Sequence, residues 1–147
     1  MFQSIVVGTD GSETAGEAVR EAIELAKAVG ASIELVSAYE PVSNQRLREE
    51  SRQAPEDLQW MVNAREDVDA TLDAATALAE ENGVPVQKYA RQGDPADAIL
   101  DVAEEQGAQL VVVGNKGMTG ARRFLLGSVP NKVSHHAPCS VLIVRTT

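Results

Sequence analysis

Cysteine is almost absent. A lone Cys139 among 147 residues cannot form an internal disulfide, which excludes a disulfide-stapled scaffold and fits a reducing, cytoplasmic setting. Long apolar runs are missing too: the longest, Leu110 to Gly114, has five residues counting the glycine, whereas a membrane-spanning helix needs about eighteen or more. The opening Met1-Phe2-Gln3-Ser4 lacks the basic region of a signal peptide or organelle address, so no export is expected. Aromatic residues make up only 3%, and Trp60 with Met61 reads as helix packing rather than a stacking platform.

Acid is missing from one part of the chain. All 22 Asp and Glu residues lie at or before Glu105, so residues 1–106 carry −14 while residues 107–147 carry +5, within a net charge of −9. The overall sign repels polyphosphate and argues against nucleic acid as a partner. The five late bases, Lys116, Arg122, Arg123, Lys132 and Arg145, mark a place where a smaller anion could be held, or are solvated bases around buried strand.

What is present describes a soluble globular chain: 44% apolar and 24% charged residues, with 11 glycines and 6 prolines scattered along it. A compact domain takes about 100 to 200 residues, so a single domain over 1–147 is expected. Ser4 to Gly8 reads as a buried strand ending in a turn at Thr9-Asp10-Gly11. Apolar residues then recur at three and four from Ala15 to Val29, with Ser12 as N-cap and Gly30 as stop. A second strand spans Ser32 to Tyr39, and residues 42–55 lose any period and read as a mobile surface loop. A long helix is expected from about Glu56 to Asn82, a third strand over Val84 to Arg91, and a helix opened by Asp94 and Pro95 and ended by Gly107. Leu110 to Gly114 reads as an uninterrupted buried strand, Pro130 to His136 as a short helix, and Ser140 to Val144 as the last strand.

Five strands alternating with four helices require crossovers. Right-handed crossovers predict an α/β fold, a doubly wound five-stranded parallel sheet with helices on both faces. Ligands of such sheets bind beyond the carboxyl ends of the strands, where the winding reverses. Two loops are therefore singled out, Gly8-Thr9-Asp10-Gly11-Ser12 and Gly114 to Ser128. The second has the spacing Gly114-x2-Gly117-x9-Gly127-Ser128, followed by Val129-Pro130. Glycines let backbone approach a ligand, and amides at a helix start form an anion site. Neither a Gly-x4-Gly-Lys-Ser/Thr nor a Gly-x-Gly-x-x-Gly signature occurs, so a P-loop NTPase and an ordinary dinucleotide binder are excluded.

Val7-Gly8-Thr9-Asp10-Gly11-Ser12-Glu13, Gly93-Asp94-Pro95 and Val112-Val113-Gly114-x2-Gly117-x9-Gly127-Ser128-Val129 together resemble the universal stress protein family over essentially the whole chain. An intact glycine spacing implies its nucleotide-holding branch. The resemblance places Asp10 by the nucleoside with Gly8 and Thr9 beside it, and Ala38 at the adenine edge. It places Gly114 and Gly117 near ribose and phosphates, with Asn115 and Lys116 between them, and Gly127, Ser128 and Val129 as the phosphate cradle. Many relatives carry Ser or Thr where this chain has Pro130, which offers neither hydroxyl nor N–H. The implied ligand is an adenine nucleotide, ATP with Mg riding on its phosphates, or cyclic AMP as the alternative.

Slow ATP hydrolysis is the enzymatic alternative, but no Ser-His-Asp order or paired carboxylates accompany the loop, and no catalytic residue is assigned. Asp10 could also serve only to cap the first helix. His135 and His136 point about 100° apart on a helix and have no carboxylate nearby, so no metal site is assigned. The apolar strand at 140–145 is expected at a sheet edge, and family members pair there, so a homodimer is expected, with the protein partner of any signal unidentified.

Overall fold

The computed structural model describes residues 2–39, 65–115 and 126–146. Its element order is β1 (Ser4–Gly8), α1 (Glu13–Val29), β2 (Ser32–Tyr39), α2 (Arg65–Glu81), β3 (Val86–Gln92), α3 (Pro95–Glu105), β4 (Leu110–Gly114), α4 (Ser128–His136) and β5 (Ser140–Val144). The strands form one parallel sheet in the order β3-β2-β1-β4-β5, so the winding reverses between β1 and β4. The α/β, doubly wound architecture is as the residue pattern predicts.

Alternation within the strands assigns the two faces. Ile5, Val7, Ile33, Leu35, Leu110 and Val112 point to one side, where Val19, Ala22, Ile23 and Ala26 of α1 and Val68 and Leu72 of α2 cover them. Val6, Val36, Val111 and Val113 point to the other, beneath Ile99, Val102 and Ala103 of α3 and Val133 of α4. Both faces are dry, which is why these strands read as continuous apolar runs. Each fully buried Ile or Leu here contributes roughly 2–3 kcal/mol by the area it removes from water.

The helix ends follow from local chemistry. Ser12 Oγ accepts the Ala15 N–H at 3.2 Å, and Gly30 closes α1 in a left-handed conformation at φ 75°. Asp94 accepts the Asp97 N–H at 3.0 Å ahead of Pro95. Two starts depart from expectation by two residues. β3 begins at Val86 rather than Val84, because the Val84 N–H bonds Ala79 O at 3.0 Å and Pro85 has no N–H to give. The last helix begins at Ser128 rather than Pro130, with Gly127 as its N-cap, which puts Pro130 in the third helical position. Residues 42–55, the first turns of the expected 56–82 helix, Trp60 and Met61 lie outside the described residues.

Candidate functional site

The crevice forms where two strands part company. Pairing between β1 and β4 stops at Val7 and Val112, while β4 continues along β5 to Gly114 and Val144, and β1 stays with β2 through Gly8 and Val36. The Thr9 N–H extends that last ladder by bonding Val36 O at 2.9 Å. The gap between the strand ends is a crevice of about 600 Å³, counting space open to solvent.

Its depth is apolar, made by Val36 and Ala38 of β2, Ile99 of α3 and Val113 of β4, with Pro95, Val129 and Pro130 beside them. Polar groups stand at Thr9, Asp10, Thr14 and Thr146. Gly8 makes room for what it faces: a Cβ there would lie 2.4 Å from Ile99 Cδ1, and the tip of Ile99 would have to shift. The missing methyl is what lets Ile99 reach over the end of β1 and floor the crevice. Gly11 is required by its backbone, at φ +82°, and a Cβ there would also meet Thr71 Oγ1 at 2.6 Å.

Asp10 is held for its place. One carboxylate oxygen accepts the Ser12 N–H at 2.9 Å, which tightens the turn, while Ser12 rather than Asp10 caps α1. Thr9 Oγ1 accepts the Gly11 N–H at 3.2 Å in the same turn. Across the crevice, α4 starts without a side-chain cap, and no acid stands in its first turn. The Asn131 N–H bonds Gly127 O at 3.0 Å, so the preceding N–H groups of the helix are those of Ser128 and Val129, and Pro130 supplies none. Lys132, one of the late bases, is taken up by Asp94 at 3.4 Å and Asp97 at 2.8 Å.

Among the residues singled out in the sequence, Gly8, Thr9, Asp10, Ala38, Gly114 and Val129 line this crevice together. Gly127 and Ser128 lie at the α4 start behind Val129, outside the lining set. Asn115 also lies outside it, its side-chain oxygen turned to Thr146. Lys116 and Gly117 lie outside the described residues. Pro95, part of the Gly93-Asp94-Pro95 motif, lines the crevice as well, whereas Ile99, Thr14 and Thr146 line it without a sequence signal, since each looks like ordinary core, cap or tail until the strands are placed side by side.

A family model described as the universal stress protein family matches residues 1–145. The chain belongs to the universal stress protein family. A universal stress protein of Mycobacterium tuberculosis is 37% identical over 99% of this chain and 98% of its own length. Universal stress protein YxiE of Bacillus subtilis is 34% identical over 99% of this chain and all of its own. Among solved structures, a universal stress protein in complex with cAMP is 33% identical with a TM-score of 0.74, covering 99% of each chain. An Archaeoglobus fulgidus family member in complex with dAMP, 24% identical at a TM-score of 0.66 over 97% of each chain, shares the fold.

Proposed function

We propose that this universal stress protein binds an adenine nucleotide in the crevice between β1 and β4, the base in the apolar depth and the phosphate at the start of α4. The observation that carries the reading is the crevice itself. It is lined by Val36, Ala38, Ile99 and Val113 at the switch point of a parallel sheet, with Asp10 on one side and the acid-free start of α4 on the other. The 33% identical structure in complex with cAMP supports a ligand of this chemical class.

The described donors favour one phosphate over three. At the start of α4 the N–H groups are those of Ser128 and Val129, and Lys132 is neutralised by two aspartates. Cyclic AMP, a monoanion, asks for little more. ATP would draw its remaining compensation from Lys116, Arg122 and Arg123 of the loop and from Mg carried on its own phosphates, because no cluster of three His, Cys, Asp or Glu among the described residues could hold a metal. Gly114, Asn115, Lys116, Gly117 and Gly127 are assigned to the nucleotide site in this reading, and residues 1–147 act as one domain.

Titration calorimetry with cyclic AMP and with ATP plus Mg tests it. The expected result is tighter binding of cyclic AMP, with Gly8→Ala weakening it about tenfold because the new methyl drives the tip of Ile99 into the crevice. Tighter ATP would reverse the ligand preference. Binding of neither, or unchanged amide signals from 114 through 129 on saturation, would remove the site.

We infer further that two copies pair along β5. It lies at the sheet edge, carries no charge from Ser140 to Val144, and leaves Leu142 40% exposed. No helix among the described residues is long and apolar enough to cross a membrane.

A further inference from the structure

Asn115 joins three segments of chain at a single residue. It stands just past β4, and its N–H bonds Val144 O at 2.9 Å, at the exit of β5. Its own carbonyl accepts the Gly127 N–H at 3.0 Å, at the N-cap of α4. Its side-chain oxygen Oδ1 accepts both the N–H and the hydroxyl of Thr146, each at 2.9 Å. A carbonyl oxygen has two lone pairs, and both are used here by one threonine.

The consequence falls on the crevice. The β4–β5 ladder ends at Gly114 and Val144, so beyond it the chain is held against β4 by Asn115. With its hydroxyl turned to Asn115, Thr146 directs its methyl toward Gly114, where Cγ2 stands 3.5 Å from the place a Cβ would occupy. Thr146 thereby becomes the β5-side wall of the crevice, and the α4 start is fixed to the same anchor.

We propose that Asn115 is a positioning residue of the ligand site: it sets Thr146 as a wall and α4 at its proper distance, and it touches no ligand itself. This rests on the nucleotide reading above. An exposed loop asparagine would carry no such role, but this one is tied at its N–H, its carbonyl and its side chain.

The test compares wild type, Asn115→Ala, Asn115→Asp, Thr146→Gly and the Asn115→Ala/Thr146→Gly double variant, with cyclic AMP and with uncharged adenosine as ligands. Asn115→Ala should weaken both ligands about tenfold, the low end of what removing an orienting partner costs at a metal site. Asn115→Asp keeps an oxygen with two acceptor positions, so it should restore adenosine binding and the slow exchange of the Thr146 amide, both lost in Asn115→Ala. Thr146→Gly removes the wall directly and should show the same loss. The double variant should lose no more than either single change, since the two residues act as a unit. The ligand-free melting temperatures should agree, which separates positioning from general destabilisation.

Wild-type affinity in Asn115→Ala overturns the proposal, as does a double variant whose losses add, or adenosine binding as weak in Asn115→Asp as in Asn115→Ala. If the wild type binds neither cyclic AMP nor adenosine, the nucleotide reading has failed and this role fails with it. Intact wild-type binding beside an unaffected Asn115→Ala fails this role alone.

Discussion

The two edges of the sheet are built on opposite plans. β3, at one edge, alternates Val86, Lys88 and Ala90 on one face with Gln87, Tyr89 and Arg91 on the other. Its charges are engaged: Lys88 pairs with Asp73 of α2, and Arg91 forms a forked pair with Glu105 of α3 at 2.9 and 3.0 Å while lying 5.5 Å from the Tyr89 ring. β5, at the other edge, is Ser-Val-Leu-Ile-Val, with Val141 and Ile143 resting on the α3–α4 layer and Leu142 largely in the open. An edge strand offers unpaired N–H and C=O groups to any passing strand, and charge is the usual guard against that. One edge carries the guard and the other does not, which is the physical ground for pairing copies at β5 rather than β3.

The contrast can be broken most severely at its apolar end. Leu142→Asp should raise the dimer dissociation constant at least about a hundredfold, or nearly 3 kcal/mol, because a second copy would have to bury an unpaired charge. Light scattering across the micromolar range reads it, and a monomeric wild type would remove the proposed pairing outright. The reverse change, Lys88→Val with Arg91→Val, should give β3 the same character as β5 and produce species larger than a dimer by gel filtration, where the wild type shows none.

A smaller effect lies beneath the guarded edge. Glu34 of β2 is buried beside Tyr89, whose hydroxyl donates to Glu34 Oε2 at 3.1 Å, with Arg91 and Glu105 next to the ring. Burial holds the Glu34 carboxyl above its usual range, and the Tyr89 hydrogen bond opposes that rise. The folded chain therefore keeps this proton more tightly than the unfolded chain. Its stabilising share is complete below the ordinary carboxylate value and declines as pH climbs through the raised one. Glu34→Gln keeps an acceptor for Tyr89 and loses the charge, so it should raise the melting temperature at pH 7, on the order of 2 °C, and match the wild type below about pH 4. Equal melting curves at both pH values would show that the burial cost is negligible. Smallest of all, Lys88→Ala should leave the melting temperature unchanged, because its pair with Asp73 is exposed and water already solvates both charges.

Some features of this protein could be read from short stretches of chain. Ser12 and Gly30 bracket α1, and Asp94 with Pro95 opens α3, because caps depend on a few adjacent residues and on backbone conformations that only certain side chains allow. The uninterrupted β-branched runs of β1 and β4 announce strands covered on both sides. The place of the crevice was legible too, since a doubly wound parallel sheet opens one beyond the carboxyl ends of its strands where the winding reverses. Boundaries fared less well where a single backbone bond decides them. Val84 is spent on Ala79, which delays β3, and Asn131 bonds Gly127, which starts α4 early.

Local order alone determined the α/β class, the helix ends and the loops that flank the crevice, because each depends on neighbours within a few residues. Only the tertiary structure decided that Ile99 floors the crevice through the missing side chain of Gly8, that Lys132 is spent on Asp94 and Asp97, and that Asn115 ties Thr146 into a wall. Those residues are 31 to 91 positions apart in the chain. No periodicity links them, and contact between them exists only once the sheet has brought its strands into register.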